Sequence, residues 1–201
     1  MLGPSRLQAA AYEIVAIGSS AGGVKALLAV LGALPVDFPV PLVVVQHLDP
    51  RHDTILADIL DRRSRLRIKM AEPDDVIGPG VVHLAPPDRH LLVHPGGVLS
   101  LSASEHVKFV RPSADLLFES VAEVYGPSAL VCVLTGTGSD GAAGAGAVKS
   151  RGGTVVSEDP ETAEFKGMPQ AVAKAVSVDL VLPLDDIADA LVGLVEGTRT
   201  L

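Results

Sequence analysis

The chain has 201 residues, 48% of them hydrophobic and 3% aromatic, and its formal net charge is -8. This length suits one compact domain. The excess of acidic residues disfavours sequence-independent nucleic-acid binding, because it would repel phosphates. Cys132 is the single cysteine, so an intrachain disulfide is excluded and a reducing, cytoplasmic location is expected. We find neither a signal-peptide pattern nor an apolar run long enough to span a bilayer, so no membrane insertion is expected.

The first predicted strand, residues 13–18, leads directly into a tight turn of small residues and a helix over residues 22–34. Gly18-Ser19-Ser20-Ala21-Gly22 matches the G-x-S-x-G elbow, a strand-to-helix turn that exposes one serine hydroxyl. The first N–H groups of such a helix have no partner within it and favour negative charge. The elbow predicts Ser20 as a nucleophile; the alternative is a glycine-rich turn that only closes a strand–helix unit.

The elements that follow alternate between strands and helices and are interrupted once by a hairpin. The run Leu42–His47 is a continuously apolar strand with a polar end, as expected for a strand that is covered on both faces. The hairpin turns at Pro95-Gly96-Gly97, and Ser113 is the predicted cap of the next helix. The other predicted elements are helices over residues 54–63, from Ser113 through Val124, from Gly141 to near Gly152, over 168–175 and from Asp185 onward, and strands over 67–71, 81–85, 90–93, 98–102, 129–135, 154–157 and 180–183.

This alternation predicts an α/β fold, a doubly wound, mostly parallel sheet with helices on both faces and an inserted antiparallel hairpin. Ligands of such sheets bind beyond the carboxyl ends of the strands. Ser20, His47 and Asp140 each follow a different apolar strand, so we expect them at one edge of the sheet. A serine needs an imidazole to take its proton, and the imidazole needs a carboxylate on its other nitrogen. The three residues therefore predict a Ser-His-Asp triad, in a chain order unlike that of the α/β-hydrolases.

Two alternatives to the triad remain open at this point. His47 and Asp140 also suit structural roles, a histidine at the sheet edge and an aspartate that caps the helix after Gly141. The loop Gly136-x-Gly138-x-x-Gly141 matches a dinucleotide fingerprint, and Glu158 and Asp159 lie about where a ribose-binding acid belongs. The carboxylate of Asp140 within this loop argues against a nucleotide, because it would repel a pyrophosphate.

The histidines do not predict a metal site. His83, His90 and His94 cluster around the predicted hairpin, but neither H-E-x-x-H nor cysteine-ligand spacing occurs. Hydrogen-bonded or solvated histidines are the expected outcome there, and we expect neither a metal nor a cofactor.

Six motifs in order carry a resemblance that covers the chain from about Ile14 to Val195. They are Ile17–Gly23, Gln46-His47, Ala85–His90, Arg111–Asp115, Leu134–Gly144 and Phe165–Pro169. With these motifs the chain resembles the C-terminal catalytic domain of the chemotaxis protein-glutamate methylesterase, CheB. That family removes methyl groups from glutamyl γ-methyl esters on chemoreceptors, and some members also deamidate receptor glutamines.

The resemblance implies a serine hydrolase in chemotaxis or chemosensory adaptation. The implied partner is the methylated cytoplasmic domain of a chemoreceptor, as protein substrate. The alternative function is a non-catalytic chemosensory interaction module, against which the intact triad argues. The family's catalytic residues fall on Ser20, His47 and Asp140. For the corresponding mechanism we expect the backbone at Ala21 and Thr137 to bind the oxyanion. Arg111 and Met168 are the candidate substrate-binding residues, and the alternative for Arg111 is that it caps Asp115.

The chain departs from the family pattern in three respects. Ala21 replaces the usual threonine after the nucleophile, and Val107–Val110 replaces a run that is often polar. We expect residues 1–12 to be an N-terminal extension and residues 13–201 to be the catalytic domain. The phosphorylated receiver domain usual in the family is not expected here, so control by phosphorylation of an attached domain is not expected either.

Overall fold

The computed structural model describes residues 12–48 and 54–198; of the predicted N-terminal extension, residues 1–11 lie outside the described residues. The strands in these two ranges are β1 Ile14–Ser19, β2 Leu42–Gln46, β3 Arg67–Met70, β4 Val81–Leu84, β5 His90–His94, β6 Val98–Ser102, β7 Ala129–Val133, β8 Thr154–Glu158 and β9 Leu180–Leu182. The helices are α1 Gly23–Ala33, α2 Leu56–Asp61, α3 Ala114–Tyr125, α4 Ala142–Ser150, α5 Gly167–Ala175 and α6 Leu184–Val195.

Seven of these strands form a parallel sheet in the order β3-β4-β2-β1-β7-β8-β9. The three central strands, β2, β1 and β7, are buried along their whole length, which is why their sequences are continuously apolar. Strands β5 and β6 pair separately as an antiparallel hairpin. The predicted doubly wound fold with an inserted hairpin is confirmed.

Helices cover both faces of the sheet, and alternate residues along each strand supply two separate cores. Val15 and Ile17 of β1 face a core completed by α1, α2 and α6. Ile14 and Ala16 face the opposite core, which contains α3, α4, α5 and the hairpin. Cys132 lies in the first core and is fully buried. In the part of the chain that the structure describes, none of the helices combines the length and the apolar character that a membrane crossing needs.

Strand β7 ends two residues earlier than predicted, at Val133 rather than Thr135. The reason is a change of hydrogen-bond partner, because the Thr135 N–H donates to the carboxylate of Glu158 at 2.7 Å. The chain leaves the sheet at this point, and the loop that carries Asp140 begins.

Helices α3 and α4 approach each other closely at Gly144. A Cβ atom at this position would lie 2.6 Å from the Cβ of Phe118 and 2.7 Å from the carbonyl oxygen of Asp115. The Gly144 N–H donates to the Asp115 carboxylate at 2.9 Å. Gly146, one helical half-turn further on, has more room, since its nearest neighbour would be Val176 at 3.8 Å.

Two substitutions in α4 test this close contact. Gly144→Ala should lower the free energy of unfolding by about 2 kcal/mol, because the added methyl group overpacks the α3–α4 interface. Gly146→Ala should raise it by about 0.5–1 kcal/mol through helix propensity alone. Urea unfolding of both variants measures the difference. Equal changes of the same sign would contradict the assigned packing.

Candidate active site

The elbow after β1 is held by backbone hydrogen bonds to the neighbouring loop. The Ser20 N–H donates to the carbonyl of Thr135 at 3.0 Å, and the Gly23 N–H donates to the carbonyl of Ser20 at 2.8 Å. Between them Gly22 has a φ of 75°, which glycine adopts without the steric cost that a side chain brings. The chain therefore reverses directly from strand β1 into helix α1, with Ser20 at the turn.

The structure brings Ser20, His47 and Asp140 together at the carboxyl edge of the sheet. His47 Nδ1 lies 3.0 Å from Ser20 Oγ, and His47 Nε2 lies 2.8 Å from Asp140 Oδ2. His47 continues the β1–β2 pairing by one residue, since its N–H donates to the carbonyl of Ser19 at 3.1 Å. The three side chains form one continuous hydrogen-bond chain from hydroxyl to carboxylate, as a triad requires.

Asp140 is buried and accepts four hydrogen bonds. Its Oδ2 accepts from His47 and from the Ala114 N–H at 2.6 Å; its Oδ1 accepts from the Ser113 hydroxyl at 2.7 Å and the Asp115 N–H at 3.1 Å. Burial alone would raise the pKa of Asp140, but these four bonds outweigh it and lower the pKa to about 2. The carboxylate is thus ionised at neutral pH.

An ionised carboxylate decides which nitrogen of His47 carries the proton. Because it can only accept, the Nε2 that faces Asp140 must donate and therefore holds the hydrogen in the neutral ring. The Nδ1 that faces Ser20 then presents its lone pair to the hydroxyl. This tautomer is the one in which the ring can take a proton from Ser20.

The alternative that Asp140 caps the following helix is wrong. Helix α4 begins after Gly141, and no side chain caps it. Asp140 instead binds the N-terminal N–H groups of α3, a helix that precedes it in the chain, together with the N-cap Ser113. The predicted cap at Ser113 is confirmed, since its hydroxyl also accepts from the Leu116 N–H at 3.5 Å.

Gln46 has a role at the site that the sequence analysis missed. Its side-chain amide donates to the carbonyls of Ser20 at 2.9 Å and His47 at 2.8 Å, and its Oε1 accepts from the Ser19 hydroxyl at 2.8 Å. A Cβ at Gly23 would overlap Gln46 Oε1, so the amide reaches the elbow only beside a glycine. A polar residue at the end of an apolar strand was the available signal.

Thr135 and Glu158 form a second support for the elbow. The sequence patterns did not predict this role for either residue. The Thr135 hydroxyl accepts from the Phe165 N–H at 2.8 Å and lies 3.1 Å from the carbonyl of Ala21, to which it can donate. Glu158 is 2% exposed and holds the Thr135 N–H. The pKa of Glu158 is raised, mainly by burial and further by the nearby Glu164 carboxylate. The hydrogen bond from the Thr135 N–H acts in the opposite direction but is outweighed.

These contacts also bear on the dinucleotide alternative. The carboxylate of Asp140 turns inward from the Gly136–Gly141 loop to helix α3. Glu158, the candidate ribose ligand, holds the Thr135 backbone instead. Neither group is arranged to receive a nucleotide.

The two backbone sites predicted to hold an oxyanion, at Ala21 and Thr137, differ in how they are placed. The Ala21 N–H has no acceptor among residues 12–48 and 54–198, so it is available to a ligand. Thr137 lies in the exposed part of the Gly136–Gly141 loop. The N–H of Ser20 itself is occupied by Thr135 and cannot contribute.

The two candidate substrate-binding residues differ in their positions. Arg111 lies near His47, where its guanidinium binds Asp88 at 2.9 Å and the carbonyl of Ser104 at 2.7 Å. The alternative that Arg111 caps Asp115 is therefore wrong. Met168 is completely buried in the core beneath Gly136, so the prediction that it contacts a substrate does not fit the structure.

The three histidines around the hairpin have separate surroundings. His90 contacts the carbonyl of Glu105 at 3.0 Å and accepts from the Ser113 N–H at 3.1 Å. His94 contacts Ser100 on the neighbouring strand. Within the described ranges, no three histidine, cysteine, aspartate or glutamate side chains are grouped so that they could hold a metal ion.

Comparison with known proteins identifies related sequences. The family model for CheB methylesterase matches residues 15–191. A Leptospira interrogans protein, provisionally named protein-glutamate methylesterase/protein-glutamine glutaminase, is 43% identical over 183 residues, which are 91% of this chain and 95% of that protein. A Moorella thermoacetica protein with that name is 43% identical over 189 residues, and there the match covers 45% of the relative.

A solved structure is similar over nearly the same length. The catalytic domain of the Thermotoga maritima CheB methylesterase superposes with a TM-score of 0.87 at 41% sequence identity. The match covers 92% of this chain and 99% of that domain.

The buried carboxylate of Glu158 predicts a pH dependence of stability. Its raised pKa means that the native state keeps this proton above pH 4.5, the ordinary pKa of the group, where the unfolded chain has lost it. The free energy of unfolding should then fall as pH rises through this window, by at most ~1.4 kcal/mol per pH unit. Glu158→Gln keeps an oxygen acceptor for Thr135 and removes the titration, so this part of the slope should disappear.

Urea unfolding between pH 4 and 8 measures this slope in the wild type and the variant. Glu196→Gln, at an exposed position after α6, is the matched control and should keep the wild-type slope. A Glu158→Gln variant that keeps it as well would contradict the assigned environment of Glu158.

Proposed function

The chain belongs to the CheB methylesterase family, and from this premise we propose that it hydrolyses glutamyl γ-methyl esters on the cytoplasmic domain of a chemoreceptor. The observation that carries the proposal is the hydrogen-bond chain from Ser20 through His47 to Asp140. Ser20 is the proposed nucleophile, His47 the general base and acid, and Asp140 the group that orients His47 and stabilises its charged form.

In the first half of the reaction, Ser20 Oγ attacks the ester carbonyl while His47 Nδ1 takes its proton. The imidazolium that forms lies between the two partners of His47, and the ionised Asp140 stabilises it. The tetrahedral intermediate collapses as the bond to the methoxy oxygen breaks, and His47 returns the proton to that oxygen. Methanol leaves, and a glutamyl ester of Ser20 remains.

In the second half, water attacks the acyl-enzyme with His47 again as the base. The carbonyl oxygen becomes an anion in both tetrahedral intermediates. The N–H of Ala21, which has no acceptor among the described residues, is the candidate donor nearest in the chain to the nucleophile, with Thr137 as the second. Loss of one such donor typically costs 10²–10³ in rate. The glutamate carboxylate leaves, and Ser20 recovers its proton.

Deamidation of a receptor glutamine is the second activity that we propose, because the relatives carry protein-glutamine glutaminase in their names. The same steps apply, except that the bond to the amide nitrogen breaks as His47 delivers its proton to that nitrogen, which leaves as ammonia. The substrate in either case is a cytoplasmic protein segment. We propose a cytoplasmic location for this chain for the same reason.

Replacement of the nucleophile tests the mechanism. Ser20→Ala should lower kcat for methanol release from a methylated receptor fragment by a factor on the order of 10⁶, while the thermal midpoint changes little. A fluorophosphonate probe should label the wild type on Ser20, identified by peptide mass spectrometry. Label on Ser19, or near-normal turnover by a folded Ser20→Ala variant, would remove Ser20 from the mechanism.

Replacement of Asp140 separates its contact with His47 from its contact with helix α3. Asp140→Asn puts an amide NH₂ against groups that are all donors, so we expect kcat to fall by about 10⁴ and stability to fall as well. Ser113→Ala is the matched control, because it removes one bond to Asp140 and the α3 cap but leaves His47 untouched. It should lower stability by ~1 kcal/mol and cost far less activity. Equal losses of kcat in both variants would mean that Asp140 acts only by anchoring the helix.

A further inference from the structure

A strained turn stands at the rim of the site, in the segment where this chain departs from the family pattern. Val107 and Val110 exchange both backbone hydrogen bonds, at 3.1 and 2.9 Å, around the two central residues Lys108 and Phe109. Both central residues have positive φ, 49° and 70°. Such a two-residue turn normally takes Asn-Gly, because side chains are disfavoured at positive φ. Lys-Phe at these positions points to a use for the side chains.

The lysine of this turn anchors it through two contacts of its ammonium group. Its ammonium lies 2.7 Å from the buried carboxylate of Asp115 and donates to the carbonyl of Ser139 at 2.9 Å. Arg111, directly after the turn, is held by Asp88 and by the carbonyl of Ser104. The turn is thus attached through Lys108 to helix α3 and to the loop that carries Asp140, and through Arg111 to the two loops that flank the β5–β6 hairpin.

The phenylalanine of the turn faces outward and is 97% exposed. This ring does not contribute to the stability of the free protein, because it buries almost no apolar surface. It borders a cavity of about 120 Å³ whose lining includes His47 of the triad, with Leu48, His106, Val110 and Arg111 around it. The cavity thus adjoins the triad at His47, whose other neighbour is the hydroxyl of Ser20.

We propose that Phe109 is a substrate-contacting specificity residue, which binds an apolar side chain next to the modified glutamyl residue of the protein substrate. This inference rests on the proposed function for the identity of the substrate. Leu48 and Val110 complete an apolar surface beside His47, and the anchored turn presents it with little loss of conformational freedom on binding. Arg111 also lines this cavity, but its guanidinium is already paired with Asp88. The proposed occupant is therefore an apolar neighbour of the ester rather than an acidic one.

Two synthetic peptides test the proposal. Each carries one glutamyl γ-methyl ester, flanked on both sides by leucines in the first and by serines in the second. The wild type should prefer the leucine peptide by about tenfold in kcat/KM, the size of one good apolar contact. Phe109→Ala should reduce this ratio to within twofold of one, and Phe109→Leu should restore most of it.

The matched control is Val36→Ala. Val36 is 67% exposed but lies between α1 and β2, at the opposite edge of the sheet, so the peptide preference should stay that of the wild type. Equal loss of rate for both peptides in Phe109→Ala would mean that the turn acts on the triad, and would overturn the proposal. So would a dimer in sedimentation that Phe109→Ala dissociates while the peptide preference persists.

Binding measurements keep this result separate from the fate of the proposed function. If the wild type hydrolyses neither peptide, the proposed function fails, and fluorescence anisotropy of the labelled peptides with the Ser20→Ala protein still decides the role of Phe109. Tighter binding of the leucine peptide that depends on Phe109 supports the inference. Equal binding of the two peptides overturns it.

Discussion

The proposed site depends on one buried anion, the carboxylate of Asp140. A charge that is removed from water must be matched by hydrogen bonds, or the group takes up a proton. Asp140 obtains them from the N-terminus of α3, from Ser113 and from His47. The same four bonds keep the carboxylate ionised, fix the tautomer of His47 and fasten a helix on one face of the sheet to the edge where Ser20 lies. Folding and the proposed chemistry therefore share one set of contacts.

This arrangement requires helix α3 to approach the sheet closely, and small residues allow it. A Cβ at Gly18 would lie 2.8 Å from the Cβ of Ala114, the first residue of α3. With glycine in the strand and alanine in the helix, the helix N-terminus reaches the level of the elbow. On the other side of the strand end, Gly23 leaves the space that Gln46 fills. The absence of side chains at these two glycines thus determines where the polar groups converge.

The fold and the three central residues could be predicted from sequence because their signals are local. Apolar runs of five or six residues mark β1, β2 and β7, and a residue just past a parallel strand must lie at its carboxyl edge. The contacts of Asp140 with α3 could not be predicted, because they join residues 25 to 27 positions apart whose helix packs across the sheet. Met168 was assigned from a motif, and only the packing beneath Gly136 shows that its side chain is inside.

The buried position of Cys132 makes the surface of this protein free of reactive thiols in its native state. Burial raises the pKa of this thiol far above its usual range, and the thiolate is the form that reacts. A cysteine introduced by Thr137→Cys, on the exposed loop beside the triad, would be the single site for a maleimide fluorophore. The native chain can therefore be labelled at one chosen site without first replacing Cys132 in the core. A dye at that site would report on the approach of a protein substrate.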